Sequence, residues 1–408
     1  MISLSEAQEF VLSKVERKRA IATPIDKALG LVVSSDVVSN VSIPPFDNTA
    51  VDGFAIAVDA LKELEQEGSV TLLVNGTIAA GDGVSREISE GSTFRIMTGA
   101  RTPSNTAAVV MVEDSLDLGD GRVRLGGSIS FGSNIRRSGS DISVGDVVVP
   151  EGTILNASHI GSLASIGLVR VPVFRRLRVG VLSTGDELKD GGDTLEEGQI
   201  YDSNRHSLLA ALSQIGVEVV DLGIIRDDAD LIREALSKAA KEFDAIATSG
   251  GVSVGDFDFT KAIVQELSKG NAKWMQIAIR PAKPFAFGVL DGAAFFGLPG
   301  NPVSALVSFE LLMKPALAKM AGKSRHLPQF VHARALGGYK RTLDGKIHFI
   351  RGVVSVTDEE MSVQPLPKQS SHNLNEMSQS NCLIEVPDSE GFGEGDVVRV
   401  LLNSSVWM

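Results

Sequence analysis

The sequence predicts an α/β core domain, a three-layer, doubly wound, mostly parallel sheet. It sits in an elongated multidomain chain with additional mostly β domains and a C-terminal β-barrel-like domain. Three observations carry this expectation. Between Leu177 and about Lys323 short aliphatic runs alternate with helical segments, the pattern of strand–helix crossovers. Residues 46–137 break into short β-like runs between glycine and asparagine turns, and residues 324–408 return to a series of strands. With 408 residues, 43% hydrophobic and 22% charged, the chain has apolar material for several packed cores, which excludes global disorder.

Each element follows in order. MISLSEAQEF places acidic residues at helical spacing, a surface helix rather than a secretory signal. Residues 1–45 group with 138–172, where GDVVVPEGTIL leads into a short helix around ASHIGSLASIG. The inserted segment 46–137 draws its strands from VTLLVNG, STFRIMTGA, AAVVMVED and RVRLGG and shows few convincing helices. Residues 173–323 form the α/β domain. RLRVGVLSTGDE is a buried strand ending in a glycine turn, and SNRHSLLAALSQIG a helix with Leu208, Leu212 and Ile215 on one face. The strand VEVVDLGII, a helix around DADLIREALSKAAKEF, the strand DAIATSGG and the helix DFTKAIVQELSKG follow. A hairpin-like stretch, AKWMQIAIRPAKPFAFGVLDGAAFFGLPG, leads into the helix NPVSALVSFELLMKPALAKMAG. Residues 324–408 supply FVHARAL, KIHFIRG, MSVQPL, NCLIEVP and DVVRVLL to the barrel-like domain. Neither a solenoid repeat nor a low-complexity tract is present.

Composition excludes whole classes of function. The 39 Lys+Arg against 51 Asp+Glu give a formal charge of −12 without a long basic run, so nucleic acid and an anionic membrane surface are not expected partners. No apolar run is long enough to span a bilayer; FAFGVLDGAAFFGLPG is interrupted by Asp291 and glycines. The single cysteine, Cys382, allows no internal disulfide and has no cysteine partner for a structural zinc, which fits a reducing compartment. A soluble, cytoplasmic protein is expected.

Glycine-rich turns fall where an open α/β sheet places ligands, at the carboxyl ends of strands: STGDE (183–187), TSGGVSVGD (248–256), the turn before DFTK and GLPGNPVSA (297–305). In the last, Asn301 can cap a helix whose first position is Pro302, leaving backbone N–H groups of the Pro299–Gly300–Asn301 turn to face an oxyanion. Taken singly, each loop is equally read as a tight turn. Acidic residues share these loops: Asp186, Glu187, Asp227, Asp228, Asp256 and Asp258. Carboxylates beside a phosphate pocket repel it unless Mg²⁺ bridges them, so the pairing predicts a metal. The competing reading makes Asp228 and Asp256 helix caps. Arg280 and Lys283 in IAIRPAKPFAFG, and Arg136 with Arg137 in NIRRSGSD, supply local positive charge suited to oxyanions, or else solvated surface pairs. No HxH or HExxH occurs, which disfavours a histidine metal site.

PPFDNTAVDGFAI, FRIMTGA, NIRRSGSDI, STGDEL followed by GQIYDSN, TSGGVSVGDFD, RPAKPFAFG and GLPGNPVSALVSFE, in this order, resemble the molybdopterin molybdenumtransferase (MoeA) family, which includes the E domain of gephyrin. The resemblance implies an elongated four-domain subunit in a homodimer, with 1–45 plus 138–172 as the dimer-forming domain. The cleft would lie between the α/β domain and domains of a second protomer. It implies insertion of molybdate, as substrate, into adenylylated molybdopterin with Mg²⁺-dependent release of AMP. Partners then extend to the molybdopterin adenylyltransferase and recipient molybdoenzymes. Carried onto this chain, the implied catalytic residues are Asp52, Thr98, Glu187, Asp258 and Lys283. The implied substrate-binding residues are Asp141, Arg136, Arg137, Gly250, Gly251, Ser253, Arg280, Pro299, Gly300, Asn301 and Ser371. Metal ligands are drawn from Glu187, Asp227 or Asp228, and Asp258. Asp52 or Glu187 is assigned delivery of protons to leaving oxygens.

Two departures stand out. The family often has Lys-Pro-Gly-Lys where this chain has Arg280-Pro281-Ala282-Lys283, and its Gly-Ser-Gly turn is Ser370-Ser371-His372 here. Alternative readings are a molybdopterin adenylyltransferase, since the α/β domain resembles that enzyme too, and a non-enzymatic dimeric scaffold.

Overall fold

The computed structural model describes residues 1–83, 85–250, 259–358 and 360–403. In the α/β domain, Glu218–Ile225, Arg178–Thr184, Ala245–Ser249 and Ala293–Leu298 lie side by side in parallel. Pro284–Leu290 follows antiparallel, and Lys273–Gln276 closes the six-stranded sheet. Side chains alternate between layers: Val179 and Val181 face one core, Leu182 the other. Helices Ala229–Glu242 and Phe259–Leu267 cover the second face through Ile232, Leu236, Ile263 and Val264. The first face is covered by Ser203–Gln214, with Leu208 and Leu212 fully buried, and by the helical run Pro302–Met320, which passes through a π turn at Phe309–Met313. Burial on both faces explains why these strands read as continuous aliphatic runs. The chain steps from Arg178–Thr184 to one neighbour and then returns to the other, so a crevice opens at the carboxyl ends of Arg178–Thr184 and Ala245–Ser249.

The hairpin expected within 272–300 forms between Pro284–Leu290 and Ala293–Leu298; Asp291 and Gly292 turn it with φ of 48° and 91°, the geometry of a two-residue hairpin loop. The N-terminal helix Leu4–Lys14 starts at a capping box between Ser3 and Glu6 and packs Ala7 and Val11 into the α/β core.

Between the N-terminal helix and the α/β domain lie two further cores. One gathers Leu31, Val33, Leu163 and Val173 around short antiparallel pairs, Ala20–Pro24 with Arg170–Phe174 and Val37–Val38 with Val147–Val149, and the helix Ala157–Ser165. The other is a six-stranded sheet ordered Ala108–Met111, Gly53–Ile56, Ser92–Ile96, Val70–Ile78, Arg122–Leu125, Ser115–Asp117. Few helices are expected there, yet one of 10 residues forms, Val58–Glu67. It is charged on one side, buries Leu61 and Leu64 on the other, and stops at Gly68 with φ 74°.

Five strands close a barrel at the C-terminal end: Ile347–Val356, Met361–Pro365, Phe330–Ala335, Val397–Leu402 and Cys382–Val386, the last pairing back onto the first. A sixth, short strand from the α/β domain, Ile279–Arg280, runs parallel to Ile347–His348 and ties the two domains together beside Arg280. Cys382 is buried in the barrel and burial pushes its thiol up to about 12, which removes it from nucleophilic chemistry. Among the described residues no helix is long and apolar enough to cross a membrane.

Candidate active site

Acidic loops line the carboxyl edge of the parallel strands. Thr184 gives way to Gly185, whose φ of 147° no larger residue adopts easily, and a Cβ there would lie 2.5 Å from Glu187 Oε2. Gly250 is glycine for the same kind of reason: φ is 91° and a Cβ would meet Thr184 O at 3.0 Å, while its N–H donates to Leu298 O at 3.2 Å. The three loops after Thr184, Ser249 and Leu298 are thereby drawn together. Arg205, buried on its helix, steadies the first of them, bonding Asp202, Asp190 and Asp221. Burial opposes its charge, but the three carboxylates outweigh it and hold the guanidinium above its ordinary value.

The adjacent aspartates do different work. Asp228 Oδ1 accepts from the N–H groups of Asp230 and Leu231 and caps the helix Ala229–Glu242. Asp227 has no such duty; its N–H donates to Asp186 Oδ1 at 3.2 Å. Desolvation first, and then the charges of Asp186 and Glu187, push its carboxyl above the usual range. Unrelieved repulsion among three carboxylates is what a hard cation neutralises, and an all-oxygen donor set suits Mg²⁺. Among the described residues no three such side chains stand close enough to hold a metal by themselves.

Beside this edge lies a cleft of about 640 Å³ between the α/β domain and the barrel. Arg280, Lys283, Pro299, Gly300, Asn301 and Ser371, far apart in sequence, all line it. Asn301 stands at the N-cap with Pro302 next, but its side chain makes no cap bond. The turn is held instead by Asn204, whose Nδ2 donates to Gly300 O at 2.7 Å, and by Val303 N–H donating to Ser371 O at 3.1 Å. Ala282 keeps the Arg280–Lys283 loop in a left-handed conformation, φ 76°, that usually selects glycine. Ser304, Lys346, Gln369, Ser370 and His372 also line the cleft and escaped the sequence reading. Ser370 and His372 adjoin the residue carried across by resemblance; Lys346 lies in the bend just before the barrel strand Ile347–Val356, which no local signal connects to the loops.

The residues expected from the N-terminal domains do not reach this cleft within the chain. Asp52 is exposed and accepts from Thr98 N–H and Oγ1–H, both at 2.7 Å. Those two bonds hold its carboxyl below the usual range, so it is ionised at neutral pH and accepts rather than donates. Arg137 is paired with Asp47 at 2.6 Å. Arg136 lies in the short strand Ile135–Arg136 against Asn48–Thr49. Asp141 lines a separate recess with Asp146 and Ser162. Gly251, Ser253, Asp256 and Asp258 lie outside the described residues.

Residues 2–167 match the family described as the MoeA N-terminal region (domain I and II), residues 180–319 the probable molybdopterin binding domain, and residues 341–402 the MoeA C-terminal region (domain IV). A Haemophilus influenzae protein named molybdopterin molybdenumtransferase is 40% identical over 404 residues, 98% of each chain. One of the same name from Staphylococcus aureus strain MSSA476 is 31% identical over 405 residues, 99% of this chain and 96% of its own. The crystal structure of a molybdopterin biosynthesis moeA protein from Pyrococcus horikoshii OT3 superposes with a TM-score of 0.85 at 28% identity, covering 98% of this chain and 100% of that one.

Proposed function

The chain belongs to the molybdopterin molybdenumtransferase (MoeA) family, and from that premise we propose that it inserts molybdate into adenylylated molybdopterin and releases AMP. It is a transferase of molybdenum cofactor biosynthesis. One observation carries the finer reading: a single cleft unites Arg280, Lys283 and the Pro299–Asn301 turn, and that turn follows Leu298 on the same carboxyl edge of the parallel sheet whose loops bear Asp186, Glu187 and Asp227.

Arg280 grips a tetrahedral oxyanion with paired N–H donors, Lys283 adds a point charge, and the turn presents backbone N–H groups. Glu187 and Asp227, with Asp258, would hold Mg²⁺, which neutralises phosphate oxygens when bound. Asp228, already capping a helix, is left out of that set. Insertion forms two Mo–S bonds to the dithiolene, and its two thiol protons leave with one oxo ligand as water. Release of AMP takes one water across the phosphoanhydride. Proton handling at the leaving oxygens is assigned to Asp52 or Glu187, and Asp52, held ionised by Thr98, serves there as an acceptor. A homodimer whose second protomer turns its N-terminal domains to this cleft would join Asp52, Thr98, Arg136, Arg137 and Asp141 to the reaction. A cytoplasmic setting, and hand-over between the adenylyltransferase and recipient molybdoenzymes, complete the proposal.

The test is AMP release from adenylylated molybdopterin and Mg²⁺ with and without molybdate. Molybdate-stimulated release is expected, reduced about 10²–10³-fold in Arg280→Ala or Lys283→Ala. Absence of stimulation at saturating substrate sinks the proposal; formation of adenylylated molybdopterin from labelled ATP would favour the adenylyltransferase reading.

A further inference from the structure

A second large cavity, about 560 Å³, opens where three parts of the chain meet. Its walls come from Gly152–Ile154, from the end of the helical run Pro302–Met320, from the connector 323–329 and from Leu401 and Leu402 of the barrel. Two chemistries line it. Ile154 and Leu327, 45% and 50% exposed, present bare apolar surface that continues onto Ile215 and Val217. Lys314, Lys323 and Arg325 supply positive charge against one carboxylate, Glu310. In a chain of net charge −12 this is a local inversion of sign.

Glu310 is already engaged, 2.6 Å from Lys314 Nζ. Lys323 is half-buried in the cavity wall, and its ammonium makes no ion pair or hydrogen bond among the described residues. Burial and the neighbouring Lys314 lower its pKa, the mark of a cation without a counter-charge. Holding such a group half out of water is costly, and an anion in the cavity removes the cost.

We propose that this interdomain cavity binds a small amphipathic anion, an apolar or aromatic body carrying one phosphate or carboxylate, with the head group on Lys323 and the body against Ile154 and Leu327. The volume falls in the range of small-molecule sites, about 300–1,000 Å³. The site is separate from the cleft of Arg280 and Lys283, sharing no lining residue with it. The cavity is walled by both the α/β helices and the barrel, the two bodies that also wall the cleft.

Titration calorimetry of the full chain with phenyl phosphate, benzoate, inorganic phosphate and benzyl alcohol tests this. At least one of the two aromatic anions is expected to bind, with inorganic phosphate and benzyl alcohol ~10-fold weaker or worse. Lys323→Met and Lys323→Gln should weaken the aromatic anion by at least ~10-fold, and Lys323→Arg should retain it. Both neutral variants should melt no lower than the parent, because they remove a desolvated charge. Arg280→Ala should leave the affinity unchanged. Binding that survives Lys323→Met, binding lost in Arg280→Ala, equal binding of benzyl alcohol, or no binding of either aromatic anion would each overturn the proposal without touching the assignment of the cleft.

Discussion

Arg205→Met should destabilise the α/β domain by about 3–5 kcal/mol, the usual cost of stranding a buried charge. The arithmetic follows from unequal burial of the three carboxylates around the guanidinium. Asp202 has 1% side-chain exposure, against 51% for Asp190 and 42% for Asp221, while Arg205 itself has 2%. With the cation gone, Asp190 and Asp221 turn to water, each surrendering at most ~1 kcal/mol. Asp202 cannot turn. It keeps only the backbone N–H of residue 205, at 3.1 Å, and loses the Nε–H bond at 2.9 Å. The assay is urea unfolding followed by Trp274 fluorescence in a Trp407→Phe background, which leaves one of the chain's 2 tryptophans. Adding Asp202→Asn should recover most of the loss, because the stranded charge disappears. AMP release should fall as well, since Asp190 lies on the same loop as Glu187. A single variant that unfolds within about 1 kcal/mol of its parent would refute the dependence of Asp202 on Arg205.

Three other outcomes are expected. Asp227→Asn should raise the Mg²⁺ concentration for half-maximal AMP release by about tenfold or more, while Asp228→Ala should leave it unchanged and cost about 1 kcal/mol of stability as a lost cap; the reverse pattern exchanges the two roles. Arg175, Lys18 and the N–H of Arg178 hold the Asp244 carboxyl below the ordinary value of 3.8 despite its burial. A depressed folded pKa contributes stability that is present above 3.8 and lost as pH falls through the folded value, so the melting temperature should drop with acid below about pH 4 and Asp244→Asn should flatten that limb. Ala282→Gly relieves about 1–2 kcal/mol of left-handed strain, but it frees the unfolded chain by about 0.4–1 and uncovers a buried methyl worth about 0.8, so unfolding should move by less than ~1 kcal/mol. A change above ~2 kcal/mol in urea unfolding would mean that the residue's place beside Arg280 and Lys283 carries more than backbone preference.

Much of this molecule was legible because its signals are local. Aliphatic runs of strand length, amphipathic repeats and capping residues act over a few neighbours, and they placed Arg178–Thr184, Ala245–Ser249 and the helix Ala229–Glu242 where the structure has them. The helix Val58–Glu67 was overlooked because its buried face is only two leucines wide and it sits among glycine turns. The Asp227–Asp228 pair shows the limit of such reasoning: both precede a helix, and only the folded turn decides that Asp228 Oδ1 caps it while Asp227 faces Asp186 and Glu187.

By itself the sequence determined the doubly wound core, the acidic and glycine turns at its carboxyl edge and, through seven ordered strings, the family. Tertiary structure decided which of those turns share a site. Arg280 meets the barrel through the pairing of Ile279–Arg280 with Ile347–His348, and Ser371 meets the Pro299–Asn301 turn through Val303 N–H. Lys346 and His372 complete the cleft on the same terms. Those approaches join separately folded cores, each with its own buried cluster. Periodicity and turn chemistry act over a few residues, whereas these contacts depend on how two finished surfaces fit together.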